Sequence, residues 1–151
     1  MTVLAPGVSL TAPPGWEVRV RRQAPVEVHR HGNLLVHAAT VPLPRERGDF
    51  GSGVVTTLGA DDVFVSLFEY DASSAGTALF THRGIPLPAP SEFSPGAMQR
   101  PLPGQSGGQW FFTAGSRAWC LHVVLGSHAR RVPSALKVQR LLSGLQIGAG
   151  S

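Results

Sequence analysis

The sequence predicts an α+β fold: an antiparallel sheet of about five to seven strands with a C-terminal helix packed on it. Three observations carry this. Residues 109–113 and 118–125 are apolar strands joined by the short turn Ala114-Gly115-Ser116-Arg117. Val138, Leu141, Leu142 and Leu145 then follow at the i, i+3, i+4, i+7 spacing of one helix face. Finally, a chain of 151 residues with 42% hydrophobic content can bury a core of its own, and it reads as one domain over 1–151.

The elements follow in order. Residues 8–10 form a short strand, and Ala12-Pro13-Pro14-Gly15 a turn. Trp16, Val18 and Val20 alternate with Glu17, Arg19 and Arg21, the pattern of a half-buried antiparallel strand. Residues 34–41 are apolar on both parities, hence a central strand, which Pro42 and Pro44 end. Ser52 is placed to cap a short helix over 53–58, weakened by its β-branched residues. Residues 63–70 are a further strand, apolar on both faces. The segment 81–108 holds Pro86, Pro88, Pro90, Pro95, Pro101 and Pro103, so it is neither regular sheet nor long helix and covers the body instead. Pro133 is tolerated only in a first helical turn, which starts the last helix near Arg131.

The net charge of +4 is unevenly spread: residues 1–50 carry +2, 51–80 carry −4 and 81–151 carry +6. The basic last third suits an anionic partner, but Arg130, Arg131, Lys137 and Arg140 read as the wet side of the last helix. There is no basic run of five and no aromatic-rich RNA-binding signature, so a nucleic-acid partner is not expected. Twelve Arg against one Lys, with abundant Ala, Gly and Pro, indicate the codon bias of a GC-rich genome such as an actinobacterium. Cys120 is the single cysteine, so no internal disulfide forms, which fits a reducing cytoplasm. The first residues lack a signal-peptide pattern, and no apolar stretch approaches the ~20 residues that span a bilayer. A cytoplasmic protein with no membrane partner is expected.

The entry Ser9-Leu10-Thr11-Ala12-Pro13-Pro14-Gly15-Trp16 and the exit Val138-Gln139-Arg140-Leu141-Leu142-Ser143-Gly144-Leu145 resemble the PsbP-like superfamily. That superfamily includes the photosystem extrinsic protein and a Ran-binding nuclear import factor. The chain also looks like small uncharacterised actinobacterial proteins of the same architecture. The resemblance implies a strand running into a Pro/Gly–Trp turn, a helix closing an antiparallel sheet, and protein binding without a shared active site. No photosystem- or Ran-binding residue maps onto the chain.

Each chemical motif has a structural reading that fits it better. Gly104-Gln105-Ser106-Gly107-Gly108 matches G-x-S-x-G, but a nucleophile elbow needs a strand before the serine and a helix after it. Here prolines precede and a strand follows, so a glycine-rich turn is expected and Ser106 is not a nucleophile. His29 and His31 share a strand face, yet His37 lies beyond a turn and no ligand spacing is completed, so no metal is expected. His122 reads as a core histidine, and a pairing with His37 across the sheet stays open. Cys120, between Trp119 and Leu121, should be buried and inert. Asp61-Asp62 reads as a solvated turn. Gly48-Asp49-Phe50-Gly51-Ser52-Gly53 lacks the phosphate-loop lysine and reads as a structural turn anchored by Phe50. The expectation is a non-catalytic protein-binding or adaptor module without cofactor, with residues 81–108 as its surface. Phe93 and Met98 would anchor that segment, and Arg83 and Arg100 would meet the partner. The alternative is a small enzyme or ligand-binding protein with a pocket beside the Pro-rich segment.

Overall fold

The computed structural model describes residues 2–22, 33–97 and 102–148. Eight strands and one α-helix follow one another as β1 (Thr2–Ala5), β2 (Val8–Thr11), β3 (Glu17–Arg22), β4 (Leu34–Ala39), β5 (Val63–Glu69), β6 (Ser106–Ala114), β7 (Arg117–Leu125), α1 (Arg131–Ser143) and β8 (Leu145–Ile147). They build two antiparallel sheets, β3-β4-β5-β7-β6 and β1-β2-β8. The α+β class read from the sequence is therefore the observed one, with the strands divided between two sheets.

Alternation decides what each face of the large sheet buries. Val36 and Ala38 of β4, Val65 and Leu67 of β5 and Leu121 and Val123 of β7 point to one side. There they meet Ala135, Val138, Leu141 and Leu142 of α1 and Val8 and Leu10 of β2. The opposite face is also covered. Ala39, Phe64 and Val124 pack beneath Leu43 and Val54 of the loop that links β4 to β5. All nine residues of β7 are consequently buried, which is why its sequence is apolar on both parities.

Local chemistry sets the connections. Gly115 and Ser116 both have φ of +59°, the two-residue type I′ turn whose twist suits a hairpin. Trp119 lies under the Arg117 guanidinium at 4.8 Å. Arg117, nearly buried, pairs with Glu69 at 2.7 Å and donates to the Pro6 carbonyl at 2.8 Å, tying the large sheet to the β1–β2 turn. Arg130 pairs with Asp61 at 2.8 Å, and Lys137 donates to the Asp61 carbonyl, so the start of α1 is held to the β4–β5 loop.

Four expectations are corrected. Leu145 is not on the helix: α1 ends at Ser143, and Leu145 opens β8 opposite Leu10. The cause is Gly144, where a Cβ would stand 2.1 Å from the Thr11 carbonyl oxygen, so the chain passes too close to β2 for any side chain. The expected helix over 53–58 is a single 3₁₀ turn, Val55–Thr57, preceded by Val54 with no side-chain cap, so Ser52 does not cap it. The strand expected over 34–41 stops at Ala39. The strand expected over 109–113 runs over Ser106–Ala114, because Ser106, Gly107 and Gly108 pair in register with Leu125, Val124 and Val123 of β7.

Residues 82–94 take the role of a cover. Thr113 donates to the His82 carbonyl and Gly84 to Thr113, while Ser94 and Gly107 exchange two backbone bonds at 3.0 Å. The outer edge of β6 is thus occupied at both ends. Pro86, Pro88 and Phe93 are buried, Phe93 against Trp110, and Gln139 of α1 donates to the Pro88 carbonyl.

Helix burial carries a large part of the stability. Leu141→Ala should lower the unfolding free energy by about 2–5 kcal/mol, whereas Leu136→Ala, on the 46%-exposed outer side, should change it by less than about 0.5 kcal/mol. Urea denaturation of the two variants measures this contrast, and equal effects would mean that α1 is not docked as described.

Candidate functional site

The strand register aligns one residue from each strand into a row on the sheet face opposite α1: Arg19, His37, Ser66, His122 and Gln109. Buried polar groups in such a row need partners. The β4–β5 loop supplies them. The Asp49 carbonyl accepts from His37 Nε2 at 2.8 Å and from Ser66 Oγ at 2.7 Å. Arg47 Nε donates to His37 Nδ1 at 2.7 Å. An arginine only donates and a carbonyl only accepts. His37 is therefore neutral, with its proton on Nε2. Burial, with the neighbouring Arg47 charge, lowers its pKa from 6.5 to about 4 against the opposing pull of the Asp49 carbonyl.

Phe50 closes the loop over the row. Its ring stands edge-on to His122 at 5.4 Å and tilts over Phe68 at 6.2 Å. Gly51, at φ of +98°, lets the chain pass where a Cβ would meet Phe64 at 2.8 Å. The motif of residues 48–53 is thus a turn seated on the sheet through Phe50, as its glycines and phenylalanine predict. His122 is lowered in pKa by burial, and its Nδ1 has no hydrogen-bond partner among the described residues. Ser66 stands between His37 and His122, so the two imidazoles share a face without pairing.

Arg47 joins this buried row to the surface. Its Nη1 donates to the Pro44 carbonyl at 2.8 Å, which leaves Nη2 without a bond among the described residues. Around it Arg19, Val20, Arg21, Leu43 and Arg45 line an open groove of about 490 Å³. Partial burial, then the like charges of Arg21 and Arg19, lower the Arg47 pKa, and Glu17 offsets this. Glu17 pairs with Arg19 at 2.6 Å. Arg21, Arg45 and Arg47 have no ion-pair partner among the described residues. Three guanidiniums without an ion-pair partner among the described residues favour an anion in the groove, and a guanidinium can hold a carboxylate through two parallel bonds.

Several sequence candidates fall elsewhere. Ser106 is fully buried at the start of β6, with no partner for Oγ among the described residues, and the Gln105 amide donates to the Val55 carbonyl. Cys120 is fully buried, and burial pushes its pKa up to about 11, against a hydrogen bond from Gln109 at 3.2 Å. Arg83 is exposed and Phe93 buried in the β6 cover. Met98, Arg100, His29 and His31 lie outside the described residues. A second void, about 10 Å³ between sheet and α1, is apolar and enclosed by Leu10, Val36, Leu67 and Leu141 among others. Neither cavity is lined by the Pro-rich segment. The arginine groove escaped the sequence reading because Arg19 and Arg21 meet Arg45 and Arg47 only after the chain folds back behind β4. The spacing of two alternate arginines on an edge strand was its only visible sign.

No protein-family model matches the chain, no curated protein matches it, and no solved structure matches it. Among the described residues, no three His, Cys, Asp or Glu side chains converge as a metal site, and no helix is long and apolar enough to cross a membrane.

Two predictions follow from this geometry. Cys120 should react with a disulfide reagent such as dithionitrobenzoate only after denaturation; rapid labelling of native protein would contradict its burial. His37 has a folded pKa below its unfolded value, so the unfolded chain binds the proton first. Its contribution is complete above pH 6.5 and falls away as pH drops toward 4, by about 3 kcal/mol at full protonation. Denaturation curves across that window should show the loss. His37→Gln should flatten it in part, leaving the smaller contribution of His122, which has the same sign.

Proposed function

We propose that this protein is a non-catalytic binding module of the cytoplasm that docks an acidic segment of another protein in the arginine groove. The observation that carries the reading is the convergence of Arg19, Arg21, Arg45 and Arg47 around one open groove with Glu17 as the only acid pairing there among the described residues. The groove has the properties of a recognition surface. It is open, it mixes charge with the apolar side chains of Val20 and Leu43, and one of its arginines is fixed by the buried His37. Fixing a guanidinium before the partner arrives lowers the entropy lost on binding. The resemblance to the PsbP-like superfamily, whose members mostly bind or support other proteins, favours the same class of function.

The double variant Arg21→Glu, Arg45→Glu should reduce partner capture from a lysate of the native host about tenfold or more. Its unfolding midpoint should stay nearly unchanged, because Arg45 is exposed, Arg21 is only half-buried and the one bond between them is long and solvent-exposed. Reversal of Arg83 and Arg100 serves as the second arm. Capture that survives the groove variant and fails on the second would place docking on the 81–108 segment instead.

A further inference from the structure

We infer that the partner segment adds to β3 as a sixth strand of the large sheet, and that its sequence alternates acidic and apolar residues. This rests on the reading of the groove as a docking site for an acidic protein segment. The first observation is the state of the two sheet edges. The β6 edge is met at both ends by residues 82–94 through four backbone hydrogen bonds, including the paired bonds of Ser94 and Gly107. The β3 edge has no such cover over residues 17–21: among the described residues, no backbone group from outside the sheet bonds to them. Arg19 Nη1 donates to the Val18 carbonyl at 3.0 Å, and the side chain can release it. An uncovered edge presents a row of donors and acceptors that a peptide backbone matches.

The second observation is the shape of the groove. Consecutive residues Arg19, Val20 and Arg21 all line it, although their side chains alternate between the two faces of the sheet. A groove lined by both parities runs along the edge of the strand, where an added strand would lie. Register then dictates the partner's chemistry. Arg19 and Arg21 point to the face that carries Arg45 and Arg47, so the facing residues of an added strand, two apart, are acidic. Side chains opposite one another in neighbouring strands stand about 5 Å apart, within carboxylate–guanidinium reach. The intervening residues fall on the side of Val20, which is 37% exposed, and are apolar. The open run of residues 17–21 sets a segment of about five to six residues, roughly 17–20 Å long.

The test uses a fluorescein-labelled hexapeptide alternating valine and glutamate, with binding read by anisotropy. Two further peptides carry N-methyl groups, one on every valine nitrogen and one on every glutamate nitrogen. In an added strand only one of these sets faces β3. One methylated peptide should therefore bind about tenfold or more weakly and the other nearly as well as the parent, since each lost backbone bond weakens binding several-fold. Binding of all three should be lost in Arg21→Glu, Arg45→Glu. If the parent binds with that arginine dependence but both methylated peptides bind alike, whether well or poorly, strand addition is wrong while the acidic groove stands. If the parent does not bind, or an oligothymidylate binds in its place with the same arginine dependence, the groove reading itself falls, and strand addition with it.

Discussion

The central strands of the large sheet, β4, β5 and β7, are buried on both faces, and the rest of the structure answers to that constraint. Strand β7 buries all nine of its residues. One side needs a helix and a second sheet, and α1 with β2 and β8 provides them. The other side needs a cover assembled from loop. That loop must satisfy the polar atoms that the register brings into line beneath it. The Asp49 carbonyl does so for His37 and Ser66 together. Leaving such atoms unpaired would cost about 1–3 kcal/mol each, comparable to a large fraction of a domain's net stability.

The same contact positions the surface. Arg47 reaches inward to His37 Nδ1 and outward into the groove, so packing of the loop and orientation of the guanidinium are one event. Arg21 adds a bond to the Arg45 carbonyl at 3.4 Å, which draws the same loop toward β3. Like charges are thereby held close. Their mutual repulsion is tolerated because the loop is anchored elsewhere, by Phe50 on His122 and Phe68 and by Leu43 in the second cluster. A site that stores repulsion among cations gains when an anion relieves it, which is the thermodynamic sense of the proposed docking.

What the sequence made legible was local. Alternation placed β3, the double apolar parity of β4, β5 and β7 revealed a sheet covered on both sides, and Pro133 located the helix start at Arg131. The burial of Cys120 followed from its neighbours in β7. Leu145 marks the limit of that local periodicity. Its spacing continues the helical stripe, but the close pass of Gly144 against Thr11 redirects the chain into a strand. Strands β1 and β8 are four and three residues long, too short for any periodicity to register. The groove depends on a long-range return of the chain, and the His37 clamp depends on a backbone carbonyl, which carries no side-chain signature at all.

The clamp between His37, Asp49 and Arg47 is the joint between fold and proposed function, and the ring of His37 reports it directly. Long-range proton–nitrogen correlation spectra of the imidazoles at about pH 6 should show His37 as a single neutral Nε2–H tautomer, still unprotonated although a free histidine would be largely charged. Arg47→Ala should remove the donor to Nδ1 and shift that nitrogen's resonance while leaving the Nε2 proton in place. A proton on Nδ1, or titration of His37 near the ordinary value of 6.5, would contradict the account.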